Sequence, residues 1–199
     1  MSALDRALIL VTCLLAAYQI VVGIDQMDSL PIIAYTIAFG VLLVAGLLFI
    51  ILGFDVLDSP VVVIVSTIIP LALAMGLVHQ HIASLRTPYL LFAMIGFLTV
   101  TLTRSTPMQN KLPVITIAIV HGIAGMTIFL LPIVTSIQGE THPLFSLVGV
   151  GGALIGIGGL LLSFLKTGKP ILSRENILRI FPIILLLMTA CFVTGFKYG

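Results

Sequence analysis

Long apolar runs, separated by short stretches that hold the charges, prolines and turn residues, make up most of this chain. Crossing roughly 30 Å of hydrocarbon takes about 20 apolar residues in a helix. The candidate runs are residues 7–24, 30–53, 60–78, 88–103, 112–137, 143–165 and 177–196. This pattern predicts one all-α integral membrane domain, residues 1–199, with about seven transmembrane helices in an up-and-down bundle with short loops.

Two of these runs need a further argument. Residues 88–103 form the shortest run, and we expect the helix to extend back into residues 84–87, with Arg86 reaching the interface. Residues 7–24 follow a basic residue, as the apolar part of a signal peptide does. Because no small-x-small cleavage pattern follows them, we interpret this run as the first transmembrane helix.

A short sequence occurs twice, as GIDQMDSLP from Gly23 and as GFDVLDSP from Gly53. Each copy has Gly where a helix ends, Asp and Ser where the next helix needs an N-cap, and Pro in its first turn. The copies lie one membrane crossing apart, so they face opposite sides and cannot share an ion. They predict a turn used twice. The alternative is a degenerate inverted repeat whose outer copy, Asp25 and Asp28, joins histidines on that side.

The composition supports a membrane protein. The chain is 60% hydrophobic and 8% charged, whereas a soluble domain carries roughly 25% charge. The lipid bilayer is therefore the expected partner, and a net charge of +2 gives no support for nucleic acid. Cys13 and Cys191 fall inside predicted helices near opposite sides of the bilayer, so we interpret them as small apolar core residues.

The basic residues predict an orientation. With seven helices, one side of the membrane holds Arg6, Arg104, Lys111, Lys166, Lys169, Arg174 and Arg179. The other side holds only Arg86 and Lys197. Because loops rich in Lys and Arg stay in the cytoplasm, we expect the N-terminus in the cytoplasm and the C-terminus outside.

The sixth predicted helix carries small residues at spacings of three and four. They are Gly149, Gly152, Gly156, Gly159 and Ser163. Such a stripe lets two helix backbones approach closely in lipid. It predicts packing within the chain, against other membrane subunits or in a homo-oligomer. The candidate facing residues are Gly40 and Gly46 of the second helix and Gly122 and Gly125 of the fifth. The alternative is a thin-walled helix that lines a substrate, pigment or cofactor.

His121 is predicted to lie near the middle of the fifth helix. An ionisable residue at that depth is costly and is a candidate functional residue. It is our candidate cofactor-binding residue, as a ligand, a proton carrier or a quinone contact. The alternative is a neutral imidazole bonded to a carbonyl or a Thr hydroxyl. A haem at His121 would need a different second axial ligand, because the chain has no other His at that depth.

Imidazole and carboxylate groups collect in the loops predicted for the outer face. His79, His81, Glu140 and His142 could together supply nitrogen and oxygen ligands to a divalent metal, near Asp25 and Asp28. The H-x-H and E-x-H spacings are also those of ordinary solvated loop residues. The cofactor therefore stays open between haem, a divalent metal and none.

The sequence contains none of the motifs H-E-x-x-H, G-x-S-x-G, the P-loop or a strand-linked G-x-G-x-x-G. A coupled transporter normally has an acidic residue near the middle of the membrane. No carboxylate or lysine lies centrally in a predicted helix of this chain. These features favour a non-catalytic helix-bundle subunit packed within a larger membrane complex, such as a respiratory or photosynthetic electron-transfer complex. A small permease or channel, and a haem- or metal-binding redox protein, are the alternatives.

Overall fold

The computed structural model describes residues 1–23, 28–106, 111–166 and 171–199, with residues 162–166 described as backbone only. The described chain is helical, and seven of its segments are long and apolar enough to cross a membrane. The α-helices are α1 (Ala3–Val22), α2 (Ser29–Leu52), α3 (Pro60–Ser66), α4 (Ile68–His81), α5 (Arg86–Ser105), α6 (Leu112–Ile137), α7 (Ser146–Lys166) and α8 (Arg174–Phe196). The predicted all-α class and the count of seven are thus confirmed.

The first and last helices begin earlier than predicted because polar residues cap them. The Ser2 side chain accepts from the Asp5 amide at 3.1 Å, and the Asp5 carboxylate accepts from the Ser2 amide at 2.7 Å, which is a capping box. At α8, the Ser173 hydroxyl accepts from the Asn176 amide at 3.3 Å. Ser173 therefore caps α8.

The third predicted span is divided at Thr67 into α3 and α4. Pro70 has no amide hydrogen, so it cannot donate to the carbonyl of Ser66. The hydroxyls of Ser66 and Thr67 both donate to the Val63 carbonyl, at 3.1 and 2.8 Å. Pro70 and these side-chain hydrogen bonds together explain the break in the helix. The hydrophobicity pattern of the sequence alone does not predict it.

The α5 helix is longer than residues 88–103 at both ends. It extends back to Arg86, as expected for a span that must cross the hydrocarbon. The Arg86 Nε donates to the His79 carbonyl at 2.7 Å, which satisfies an acceptor at the end of α4. This bond joins α4 and α5 across their short connection.

The repeated turn has the predicted glycines and prolines. Gly23 and Gly53 end α1 and α2 at φ 69° and 76°, a region that favours glycine. Pro60 is the first residue of α3, and Pro31 lies in the first turn of α2. Asp28 and Ser59 stand at the N-caps, but within the described residues their side chains make no capping bond. Asp25 lies outside the described residues.

Six helices form a closed ring in the order α1, α2, α4, α6, α7, α8, with α8 packed against α1. The α5 helix lies outside this ring against α4 and α6, and the short α3 packs beside α5. Consecutive spans cross in opposite directions. One end of the bundle, the N-terminal face, therefore holds Ser2, residues 53–59, the end of α5, the start of α6 and residues 171–173. The other end, the C-terminal face, holds residues 82–85, 138–145 and 197–199.

A cluster of buried aromatic side chains lies near the C-terminal face. Four rings there contact the ring of Phe196, with centroids 4.4 to 6.3 Å apart. This aromatic cluster consists of Tyr35, Phe39, Phe145, Phe192 and Phe196. Each of these side chains is at most 2% exposed. By contrast, α3 at the opposite face, which is described in full, has no buried residue.

Candidate functional site

The glycine stripe of α7 divides into a packed half and an open half. A Cβ atom on Gly149 would lie 2.5 Å from the Phe129 carbonyl oxygen, and one on Gly152 would lie 2.8 Å from Ile128 Cγ2. These two glycines therefore hold α7 close against α6. Gly156 and Gly159 are exposed, and no atom of the described chain lies within 4 Å of a Cβ built there. The Ser163 side chain is outside the description.

The α6 helix also has open glycines at the same depth. Gly122 and Gly125 likewise have nothing within 4 Å of a built Cβ, as far as the described residues extend. The α6 and α7 helices are antiparallel, and Gly152 contacts Ile128 and Phe129. Counting along both helices from this contact places Gly156 at the same depth as Gly125. It places Gly159 level with residues 121–122. We call Gly122, Gly125, Gly156 and Gly159 the open glycine surface.

His121 lies nine residues after the start of α6 and is half-buried. Its Nδ1 is 3.2 Å from the Ile117 carbonyl oxygen. A carbonyl only accepts, so Nδ1 carries the hydrogen and Nε2 is left as an acceptor or ligand atom. The carbonyl bond agrees with the neutral alternative, and a cofactor at Nε2 stays a prediction.

The predicted metal ligands of α4 have separate surroundings. His79 Nε2 lies 3.7 Å from an oxygen of Asp28, which joins α4 to the start of α2. The His81 ring packs against Phe145 with centroids 5.3 Å apart. Its Nε2 is buried and has no hydrogen-bond partner in the described residues. The two imidazoles therefore serve different contacts.

The other two predicted ligands follow α6. His142 Nδ1 accepts from the Leu144 amide at 3.2 Å, and its ring stacks on Tyr198 at 4.8 Å. Glu140 is exposed in the turn after α6. Across the described ranges, no three His, Cys, Asp or Glu side chains are grouped so that they could hold a metal ion. The divalent metal site at these residues remains a prediction, and Asp25 lies outside the described ranges.

A polar contact between two helices was missed by reasoning from the sequence. The Tyr35 hydroxyl donates to Gln80 Oε1 at 2.6 Å and so links α2 to α4. The Tyr35 ring lies against Gly76, where a Cβ would be 2.5 Å from the ring carbon Cε1. The sequence feature that could have indicated this contact is Gly76, a glycine inside an apolar helix.

The seven helices that are long and apolar enough to cross a membrane indicate a broad class, the multi-pass membrane proteins. No family model, curated protein or solved structure matches the chain, so the comparisons identify no narrower group.

Proposed function

We propose that this protein is a non-catalytic subunit of a larger membrane assembly, and that it packs against a helix of another subunit through the open glycine surface. The single observation behind the proposal is the division of the α7 stripe. Gly149 and Gly152 are used inside the chain, whereas Gly156 and Gly159 continue the same face with no described neighbour. A respiratory or photosynthetic electron-transfer complex is the kind of assembly that we propose.

The energetics of glycine in a lipid-facing helix support this proposal. Glycine costs up to about 1 kcal/mol relative to alanine in a helix interior. Apolar burial supplies little drive between helices in lipid, whereas small residues allow close backbone contact. The open glycine surface therefore carries a local cost that a closely packed partner helix would offset.

Changing both Gly156 and Gly159 to leucine is expected to abolish the association, because two large side chains would hold a partner helix away. The measurement is the mass of the gently solubilised native protein on a non-denaturing gel. The wild-type chain is expected to migrate in a larger complex and the double variant as a monomer that retains its helical circular dichroism.

Gly40→Leu in α2 is the matched control. Gly40 also has open space at its Cβ position with respect to the described chain, but α2 contacts neither α6 nor α7 in the ring. We expect this variant to keep the larger complex. A wild-type protein that is always monomeric, or a Gly156/Gly159 double variant that assembles normally, would contradict the proposal.

We also propose that the N-terminal face lies in the cytoplasm. The support is the distribution of basic residues, seven on that side against Arg86 and Lys197 on the other. In a background with both cysteines changed to alanine, Glu140→Cys is expected to react with an impermeant maleimide on intact cells. Ser2→Cys is expected to react only after permeabilisation, and the reverse pattern would refute this orientation.

A further inference from the structure

The side of α6 that packs against α7 is open in the half nearer the N-terminal face. Ile128 lies on this side and meets Gly152 of α7, where a Cβ atom would lie 2.8 Å from Ile128 Cγ2. Residues seven apart lie on nearly the same side of a helix, so His121 and Val114 share this side with Ile128, and Ala118 lies between them. Val114 and Ala118 are exposed, and His121 is half-buried. The two helices therefore diverge toward the N-terminal face and leave a cleft, which we call the α6–α7 cleft.

Small residues form both walls of the α6–α7 cleft, because the open glycine surface has two of its members on α6 and two on α7. The α7 helix stays packed on α8 at this depth, since a Cβ atom at Gly158 would lie 3.8 Å from Ile184 Cγ2. The α7 helix has thus separated from α6 and not from α8. Walls of glycine allow the backbone of another helix to approach closely.

His121 places a hydrogen-bond acceptor in this cleft. Its Nδ1 hydrogen is used at the Ile117 carbonyl, at 3.2 Å, so Nε2 is an acceptor. No donor among the described residues bonds to Nε2, and protein atoms do not shield it as they shield Nε2 of His81. His121 lies about 13 Å along α6, inside the hydrocarbon, where water does not supply the missing donor. An acceptor without a donor costs free energy there.

We propose that a transmembrane helix of the partner subunit enters the α6–α7 cleft and donates a side-chain hydrogen bond to His121 Nε2. The donor is a hydroxyl or an amide, from Ser, Thr, Asn or Gln, because these side chains form hydrogen bonds across membrane helices. Pockets for small molecules are lined mainly by large apolar and aromatic side chains, whereas glycine and alanine line this cleft. The inference rests on the proposed function, since it gives the chemistry of the helix that meets the open glycine surface.

Two substitutions of His121 test the bond. The gently solubilised complex is diluted into excess detergent, and the chain-to-detergent ratio at half dissociation is read on a non-denaturing gel. His121→Leu removes the acceptor and is expected to weaken the association roughly threefold to tenfold, as one hydrogen bond between membrane helices allows. His121→Gln keeps an acceptor and is expected to stay close to wild type. Thr127→Val is the matched control on α6, because the Thr127 hydroxyl already donates to the Ile123 carbonyl.

The isolated chain is expected to respond in the opposite direction. Its Nε2 has no donor before assembly, so His121→Leu is expected to leave the midpoint of unfolding by sodium dodecyl sulfate unchanged or to raise it. A lower midpoint in the isolated chain would assign His121 a structural role inside the chain and refute the proposal.

The outcomes separate this inference from the proposed function. Equal association of wild type and His121→Leu, with the Gly156/Gly159 leucine variant monomeric, would refute the donor and leave the assembly standing. A wild-type chain that is always monomeric would contradict both. A monomer that carries a small molecule detected by mass spectrometry, and loses it in His121→Leu, would refute the partner helix as the occupant of the cleft.

Discussion

Phe196→Ala is expected to lower the free energy of unfolding by about 3 kcal/mol, the low end of the range for a buried aromatic side chain. Phe196 is fully buried and contacts four other rings, the nearest being Tyr35 at 4.4 Å. Its removal leaves a cavity among the rings of α2, α8 and Phe145, which lies in the turn before α7. We expect the low end of this range because lipid is as apolar as the protein interior. The substitution therefore removes mainly packing contacts and little hydrophobic free energy.

Unfolding in mixed micelles with increasing sodium dodecyl sulfate measures this difference. Leu187→Ala is the control, since Leu187 lies on the same helix but is 50% exposed, and lipid can fill the space that it leaves. We expect little change from the control. Equal effects of the two substitutions would mean that the aromatic cluster does not stabilise the bundle.

Gly149→Ala is expected to destabilise the protein by about 1–3 kcal/mol through overpacking. The added methyl group would meet the Phe129 carbonyl oxygen at 2.5 Å, and a backbone atom cannot rotate away as a side chain can. The α6 and α7 helices must therefore move apart over their whole packed half.

Gly156→Ala makes the same chemical change seven residues later on the same helix face. It is expected to be neutral or to stabilise the isolated chain by up to about 1 kcal/mol, because alanine favours the helix and the site is open. The same unfolding measurement compares the two. Destabilisation of the isolated chain by Gly156→Ala as large as that by Gly149→Ala would show that the stripe is packed along its whole length.

The positions of the seven spans could be predicted because a backbone in lipid must satisfy its hydrogen bonds within the same segment. Unpaired amides are too costly in hydrocarbon, so a long apolar run must be helical. The turns at Gly23 and Gly53 were also predictable, since left-handed φ values select glycine. These features depend on residues that are close together in the sequence.

The features that were not predicted depend on residues far apart in the sequence. The spacing of Gly149 to Gly159 identifies one helix face, but it does not show where α6 and α7 separate. Nothing in α5 alone shows that it lies outside the ring. The break at Thr67 needed the joint effect of Pro70 and two hydroxyl bonds. His121 lies within α6, as expected, whereas any ligand that it binds stays a prediction.

The closure of the ring has a consequence for biosynthesis. The α8 helix packs against α1, more than 150 residues away in sequence, and it leaves the ribosome after the other six spans, at about 5–20 residues per second. Until then the inward faces of α1 and α2, with Tyr35 and Phe39, have no protein neighbour from α8. Lipid chains must occupy that side of the unfinished bundle, and the arrival of α8 expels them as Phe196 joins the other rings.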